Sequence, residues 1–286
     1  MGRMWYYICY ERILEVYAMT LDWLSILILA AVRGLTGILP LSDSGFQTVA
    51  RSLMGLPMNG EADGFLDGLC ILAVTIAICI VYHAELRACL RRPRGRRATE
   101  EERLGRRQWM LIVSSFVFSI PGLLFGNNIS FMGNLVAVAV LSIVNGFVLF
   151  AWDRMSIGGK GLTEATIGDA AAIGIGQSLS VIPGFSRMGF TMSFGVFRGL
   201  DPSYCLQFSL LAAVPYYIIR ALVLIISSAK PEGGIVLYLV GMALCGIIAY
   251  LALRLLRFSV RRGSAVHASF ISWGLSLLLF MLYLVS

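Results

Sequence analysis

The sequence is poor in charged residues, and this shortage excludes an ordinary soluble domain. Only 14% of its 286 residues are charged, whereas 58% are hydrophobic and the mean hydropathy is +0.82. Soluble domains contain about 25% charged and about 45–50% apolar residues. Several apolar stretches also reach about 18 residues, the length that identifies a candidate transmembrane helix. The composition therefore predicts an integral membrane protein.

The sequence also lacks the patterns of a disulfide framework, a zinc site and a cleavable signal peptide. Its six cysteines are scattered without a C-x-x-C pair, so we interpret them as small apolar filling residues. The first 20 residues contain Arg3, Glu11, Arg12 and Glu15 instead of a single apolar core. We therefore expect residues 1–20 to form an amphipathic N-terminal segment.

Positive charge is concentrated in two loops. The formal net charge is +7, and nine arginines lie between Arg87 and Arg107. Such a run follows the positive-inside rule and attracts anionic lipids, so we expect a cytoplasmic loop at 84–108 rather than a nucleic-acid surface. The segment RLLRFSVRRG at 254–263 forms a second basic loop with the same expected side. The protein is thus predicted to be multi-pass in the plasma membrane, with its basic loops cytoplasmic.

Six uninterrupted apolar stretches predict transmembrane helices. They cover about residues 65–83, 109–126, 133–152, 204–227, 235–253 and 264–285. Two further stretches, about 21–56 and 167–200, are interrupted by glycine, proline, serine and arginine. The spans on either side of the second stretch place both of its ends in the cytoplasm. We therefore predict that it is a re-entrant hairpin of two half-helices.

The two interrupted stretches resemble each other and predict an internal repeat. GLTGILPLSDSGF and SLSVIPGFSRMGF each place a proline five or six residues before a Gly-Phe pair. Pro40 and Pro183 are 143 residues apart, half of the chain length, and three spans follow each stretch. An odd number of spans inverts the second unit. We predict an all-α polytopic fold with six transmembrane helices and two re-entrant hairpins, arranged as an inverted repeat of units 21–153 and 166–286.

The broken helices predict a site for an anion. Backbone groups that leave a helix at membrane depth must be buried in protein or face a polar cavity. We expect the freed amides and the hydroxyls of Ser42, Ser44 and Ser186 to form an anion-binding surface, with kinked structural helices as the alternative. Arg187 has a planar fork that suits phosphate oxygens, and Gly184 and Gly189 flank it. An internal ion pair is the alternative for Arg187.

Other polar residues in apolar context have two interpretations each. Arg33, Arg51 and Arg220 either bind the same anion or extend to the membrane interface. Gln177 either orients a water molecule or phosphate or makes an ordinary interhelical hydrogen bond. Asp43 lies in the first broken helix and is the best candidate for a base, nucleophile or metal ligand. Asp63 and Asp67 are four residues apart, and we interpret them as a solvated helix start.

Two motifs resemble those of a known family of membrane enzymes. The residues that match the signature P-G-x-S-R-S-G-x-T are Pro183, Gly184, Ser186, Arg187, Gly189 and Thr191, with Met188 in place of a serine. GLTGILPLSDSGF resembles the segment E-G-L-T-E-F-L-P-x-S-S-T-G-H. The chain thus resembles the BacA/UppP-type undecaprenyl-pyrophosphate phosphatases over about residues 21–285, and the inverted-repeat, re-entrant fold of that family agrees with the charge pattern.

The departures from the family fall on its catalytic residues. Arg33 and Gly37 stand where the family has two glutamates, Phe46 stands where it has a histidine, and Asp43 replaces a serine. The resemblance implies that those acids and the histidine drive diphosphate hydrolysis, whereas the Ser-Arg motif holds phosphate. Whether the protein uses Mg²⁺ or Ca²⁺ as a cofactor is left open, because the usual carboxylates are missing.

Three functions are compatible with these residues. The first is a polyprenyl-diphosphate phosphatase that recycles a lipid carrier for cell-wall synthesis, with Asp43, Ser186 and Arg187 as catalytic candidates. The second is a non-hydrolytic transporter or flippase of a polyprenyl phosphate, and the third is an accessory lipid sensor. The candidate substrate-binding residues are Arg33, Ser42, Ser44, Gln177, Gly184, Gly189, Thr191 and Arg220. Anionic membrane lipids are further expected partners, and a homodimer is left open.

Overall fold

The fold consists of helices, as the composition predicts. The computed structural model describes residues 23–56, 61–91, 99–125, 134–155, 158–228, 234–260 and 266–285. Within those ranges the helices are α1 Trp23–Thr36, α2 Asp43–Leu53, α3 Glu61–Val81, α4 His83–Leu90, α5 Glu100–Phe125, α6 Leu135–Arg154, α7 Ile167–Leu179, α8 Arg187–Phe197, α9 Pro202–Ser227, α10 Ile235–Val260 and α11 Val266–Val285. Six of them, α3, α5, α6, α9, α10 and α11, are long and apolar enough to cross a membrane. The prediction of an all-α polytopic membrane protein is confirmed.

The two interrupted stretches form pairs of short helices. Helices α1 and α2 have 14 and 11 residues, and α7 and α8 have 13 and 11. At about 1.5 Å per residue, each is about 16–21 Å long, which is shorter than the hydrocarbon core of about 30 Å. The connecting segments 37–42 and 180–186 contain the prolines and glycines that interrupt the apolar pattern. The predicted half-helices are therefore present in both stretches.

Helix packing relates the two halves of the chain. Helix α1 packs on α10, and its counterpart α7 packs on α5, the counterpart of α10. The pairs α3 with α9 and α6 with α11 join helices that occupy equivalent places in the two halves. This arrangement brings the two half-helix pairs toward the centre of the bundle. The unit boundaries at 153 and 166 stay predictions, and the amphipathic segment 1–20 lies outside the described residues.

The predicted basic loop is partly helical, which corrects its boundaries. Helix α4 occupies His83–Leu90, and α5 begins at Glu100 instead of near residue 109. Thr99 and Glu102 explain this early start, because they exchange hydrogen bonds of 3.2 and 3.3 Å between backbone amides and side chains, as in a capping box. Four of the nine arginines, in the range 92–98, lie outside the described residues.

Candidate functional site

Ser42 and Ser186 begin the second half-helices in the same way. The Ser42 hydroxyl accepts a hydrogen bond of 3.1 Å from the amide of Gly45, and the Ser186 hydroxyl accepts one of 3.1 Å from the amide of Gly189. Both serines are fully buried N-cap residues. Their hydroxyls satisfy helix amides and do not line the central cavity. These hydrogen bonds account for both serines as N-caps, and their part in anion binding stays a prediction.

The first residues of helices α2 and α8 carry opposite charges. Asp43 follows the cap Ser42, and Arg187 follows the cap Ser186. An acid at a helix N-terminus is stabilised by the helix dipole, whereas a cation there is not. Arg187 therefore needs stabilisation from other groups around it.

A small cavity lies between the two half-helix pairs and contains five of the predicted site residues. Its volume is about 90 Å³, and its polar lining residues are Arg33, Thr36, Gly37, Asp43, Ser44, Ser180, Arg187, Tyr216, Tyr217 and Arg220. Helices α1, α2, α8 and α9 contribute eight of these ten residues, and Gly37 and Ser180 belong to the connecting segments. The fold thus joins Arg33, Asp43, Ser44, Arg187 and Arg220, which are spread over nearly 190 residues of sequence.

Tyr217 orients the Arg187 guanidinium in this cavity. Arg187 Nε donates a hydrogen bond of 2.5 Å to the Tyr217 hydroxyl, and the guanidinium carbon lies 4.7 Å from the centre of the Tyr217 ring. Arg187 Nη2 is 3.5 Å from the carbonyl oxygen of Gly37. Nη1 is buried and has no hydrogen-bond partner among the described residues. Because no described carboxylate pairs with Arg187 either, the internal ion pair considered for it is not observed, and part of its fork is available for an anion.

Arg33 has the opposite surroundings, because two carboxylates pair with it. One terminal nitrogen contacts Asp43 and the other contacts Asp67. The second oxygen of Asp43 accepts a hydrogen bond of 2.6 Å from the Thr36 hydroxyl. Only 15% of the Arg33 side chain is exposed, so it does not extend to the membrane interface. The interpretation of Asp67 as part of a solvated helix start is wrong, since Asp67 belongs to this partly buried network inside the bundle.

The cavity keeps a positive charge despite these pairs. Three guanidinium groups, of Arg33, Arg187 and Arg220, face two carboxylates, of Asp43 and Asp67, so the formal charge of the group is +1. Arg187 and Arg220 supply the charge that these two carboxylates do not neutralise. The arrangement can therefore hold an anion on the side formed by α8 and α9.

Gly184 and Thr191 support the site from outside the cavity, whereas no such contact is observed for Gln177 among the described residues. The Gly184 amide donates a hydrogen bond of 2.8 Å to the Ser44 hydroxyl, which joins the two connecting segments. The Thr191 hydroxyl donates one of 2.9 Å to the Arg187 carbonyl oxygen within α8. Gln177 is buried, and its side-chain amide has no hydrogen-bond partner within the described part of the chain. The interhelical hydrogen bond considered for Gln177 is not observed there, so its role stays a prediction.

Comparison with known proteins agrees with the motifs. A family model described as bacitracin resistance protein BacA matches residues 26–278. The chain belongs to the BacA family. It is 32% identical over 200 residues to an undecaprenyl-diphosphatase of Chromohalobacter salexigens, which covers 68% of this chain and 73% of that protein. It is 28% identical over 267 residues to an undecaprenyl-diphosphatase of Carboxydothermus hydrogenoformans, a match that covers 90% of this chain and 95% of that protein. It is also 28% identical over 269 residues to undecaprenyl-diphosphatase 3 of Bacillus cereus, covering 92% of this chain and 98% of that protein.

The donor groups around the cavity, within the described ranges of this BacA-family chain, do not fit a divalent metal ion. The described residues contain no group of three or more histidine, cysteine or acidic side chains that could hold one. The two carboxylates nearest to the cavity, of Asp43 and Asp67, both pair with Arg33, whose charge would repel a cation. We therefore derive no step of the function through Mg²⁺ or Ca²⁺.

Two residues of the site were missed by the sequence analysis. The PYY aromatics in α9 suggest packing or membrane-interface residues, but Tyr217 instead orients Arg187. Asn145 is a buried amide in the apolar helix α6. Its oxygen accepts a hydrogen bond of 2.9 Å from the Ser186 backbone amide, and its nitrogen donates one of 3.0 Å to the Ser272 hydroxyl. A polar residue inside an apolar span was the available signal for Asn145, because such residues need a partner. No sequence signal distinguishes Tyr217 from its neighbours.

Proposed function

We propose that this protein binds the phosphate headgroup of a polyprenyl phosphate or diphosphate in the cavity between its half-helix pairs. The observation that carries the proposal is the Arg187 guanidinium, which Tyr217 orients and whose buried Nη1 has no hydrogen-bond partner among the described residues. A buried N–H group without a partner is costly, and phosphate oxygens accept hydrogen bonds from a guanidinium fork in bidentate geometry. The relatives named undecaprenyl-diphosphatase support this class of lipid.

Hydrolysis of undecaprenyl diphosphate is the activity that the relatives favour. In this proposal Arg187 and Arg220 hold the diphosphate, a water molecule attacks its terminal phosphorus, and Asp43 acts as the catalytic acid that protonates the oxygen leaving with the lipid phosphate. A phosphatase of this kind would regenerate a lipid carrier for cell-wall synthesis in the plasma membrane. Both oxygens of Asp43 already interact with other side chains, one with Arg33 and the other with Thr36. Asp43 would have to leave these partners before it could transfer a proton.

Binding or transport without hydrolysis is the second candidate, and the Arg33 network favours it. Arg33 and Gly37 occupy positions at which the family motif has glutamates, and Phe46 packs into an apolar cluster around Val49 and Leu275 instead of lining the cavity. None of these three side chains can act as a base. A headgroup held by Arg187 would then be carried or sensed rather than cleaved. In both cases we propose that the basic segments at 84–108 and 254–263 face the cytoplasm and contact anionic lipids.

Phosphate release and lipid binding, measured together, separate these functions. Purified protein in detergent is incubated with undecaprenyl diphosphate, and the Asp43→Asn and Arg187→Ala variants are compared with it. Release that is lost in Asp43→Asn, while that variant still binds the lipid, would establish a phosphatase that uses Asp43. Binding without release would establish the non-hydrolytic function. If the unmodified protein binds neither undecaprenyl phosphate nor the diphosphate, the proposed function is wrong.

A further inference from the structure

Arg33 connects two carboxylates that belong to different helices. Its Nη1 atom contacts Asp43 at the start of α2, and its Nη2 atom contacts Asp67 in α3. The Thr36 hydroxyl holds the other oxygen of Asp43 at 2.6 Å. The three charged side chains are 15%, 27% and 26% exposed, so water screens their interactions only in part. The network therefore ties the first half-helix pair to α3 from inside the bundle.

Divalent metal ions commonly bridge two carboxylates at the edge of a phosphate site. In such a site the metal neutralises the acids and fixes their positions. Arg33 fixes both acids here and supplies one of the two positive charges that a divalent ion would bring, because a guanidinium stays protonated and presents its N–H groups in a fixed plane. Two carboxylates that reach the same guanidinium would repel each other without it and would attract another cation. Their pairing with Arg33 reduces both effects.

We propose that Arg33 is a built-in cation that takes the place of a divalent metal ion, so that the lipid headgroup binds without metal. The proposal rests on the headgroup site proposed above and adds how that site is stabilised. The two arginines differ in their terminal nitrogens. Those of Arg33 contact Asp43 and Asp67, although its Nε has no hydrogen-bond partner among the described residues, whereas Nη1 of Arg187 is left for the ligand. Arg33 is a positioning residue in this scheme, since it acts through the two carboxylates.

Metal binding by variants of Arg33 provides the first test. Binding of Mn²⁺ to the purified full-length chain is followed by electron paramagnetic resonance, for the unmodified protein, Arg33→Gln, and Arg33→Gln combined with Asp43→Asn. We expect Arg33→Gln to bind Mn²⁺ at least about tenfold more tightly than the unmodified protein, because two acids lose their cation. The added Asp43→Asn change should abolish the gain. Arg154→Gln is the matched control, because Arg154 is an exposed arginine at the end of α6.

Lipid binding in the presence of EDTA provides the second test and does not require a variant to fold. A polyprenyl monophosphate should bind the unmodified protein with the same affinity, within about twofold, in EDTA and in Mg²⁺ or Ca²⁺. A loss of affinity in EDTA that either metal restores would overturn the inference, and so would an Arg33→Gln variant that folds but gains no Mn²⁺ site. Absence of lipid binding under every condition would instead contradict the proposed function, whereas the Mn²⁺ measurement would still report on Arg33.

Discussion

Replacement of Arg187 by alanine should weaken the binding of a polyprenyl phosphate by about a hundredfold or more. A hydrogen bond that involves a charged group contributes about 1.5–3 kcal/mol, and the guanidinium can offer two of them to one phosphate. Loss of both corresponds to at least about 3 kcal/mol, and about 1.4 kcal/mol changes a dissociation constant tenfold. The Arg187 contacts with Tyr217 and Gly37 are absent from the variant both with and without ligand, so their loss changes this figure little.

The assay should separate binding from turnover. We would titrate purified protein in detergent with a fluorescent polyprenyl monophosphate, because this ligand has no diphosphate bond to hydrolyse. Arg187→Lys should lie between the unmodified protein and Arg187→Ala, about tenfold weaker than the former, since lysine keeps the charge but lacks the planar fork.

A matched control lies elsewhere in the same bundle. The Arg154 guanidinium is also close to an aromatic ring, 4.8 Å from the centre of Phe150, but it lies outside the cavity. Arg154→Ala should leave the affinity unchanged. If Arg187→Ala is folded and still binds within about threefold of the unmodified protein, Arg187 does not hold the phosphate and the reasoning fails.

Two further predictions concern the groups that support Arg187. Tyr217→Phe removes the hydroxyl that orients the guanidinium. In the same titration it should weaken monophosphate binding by about fivefold, equivalent to about 1 kcal/mol for one hydrogen bond. Unchanged affinity would show that Arg187 needs no such orientation. Gly184→Ala should lower the free energy of unfolding by about 2 kcal/mol or more, because Gly184 has a φ of +92° and an added Cβ would lie 2.7 Å from the Leu141 Cβ. Thermal unfolding in detergent would measure that loss, and an unchanged melting temperature would mean that the segment relaxes around the methyl group.

The sequence determined the helical architecture and the place of the hairpins. The length of an apolar run and the presence of Pro40 and Pro183 are local properties, and in a membrane they permit few alternatives to a span or a broken helix. The caps Ser42 and Ser186 are local as well, because each accepts a hydrogen bond from an amide only three residues further along the chain. Their proximity to the predicted site suggested a ligand contact, but the local hydrogen bond accounts for them.

Which side chains meet in the cavity was decided by the tertiary structure. Arg33 pairs with Asp67 from α3, Arg187 bonds to Tyr217 from 30 residues away, and the Gly184 amide bonds to Ser44 across 140 residues. Each of these contacts depends on how separate helices pack, and hydrophobic periodicity does not encode that arrangement. The sequence therefore shows that the chain keeps arginines and aspartates within apolar stretches, but only the packing decides that Arg33 pairs with two carboxylates and that Arg187 pairs with none among the described residues.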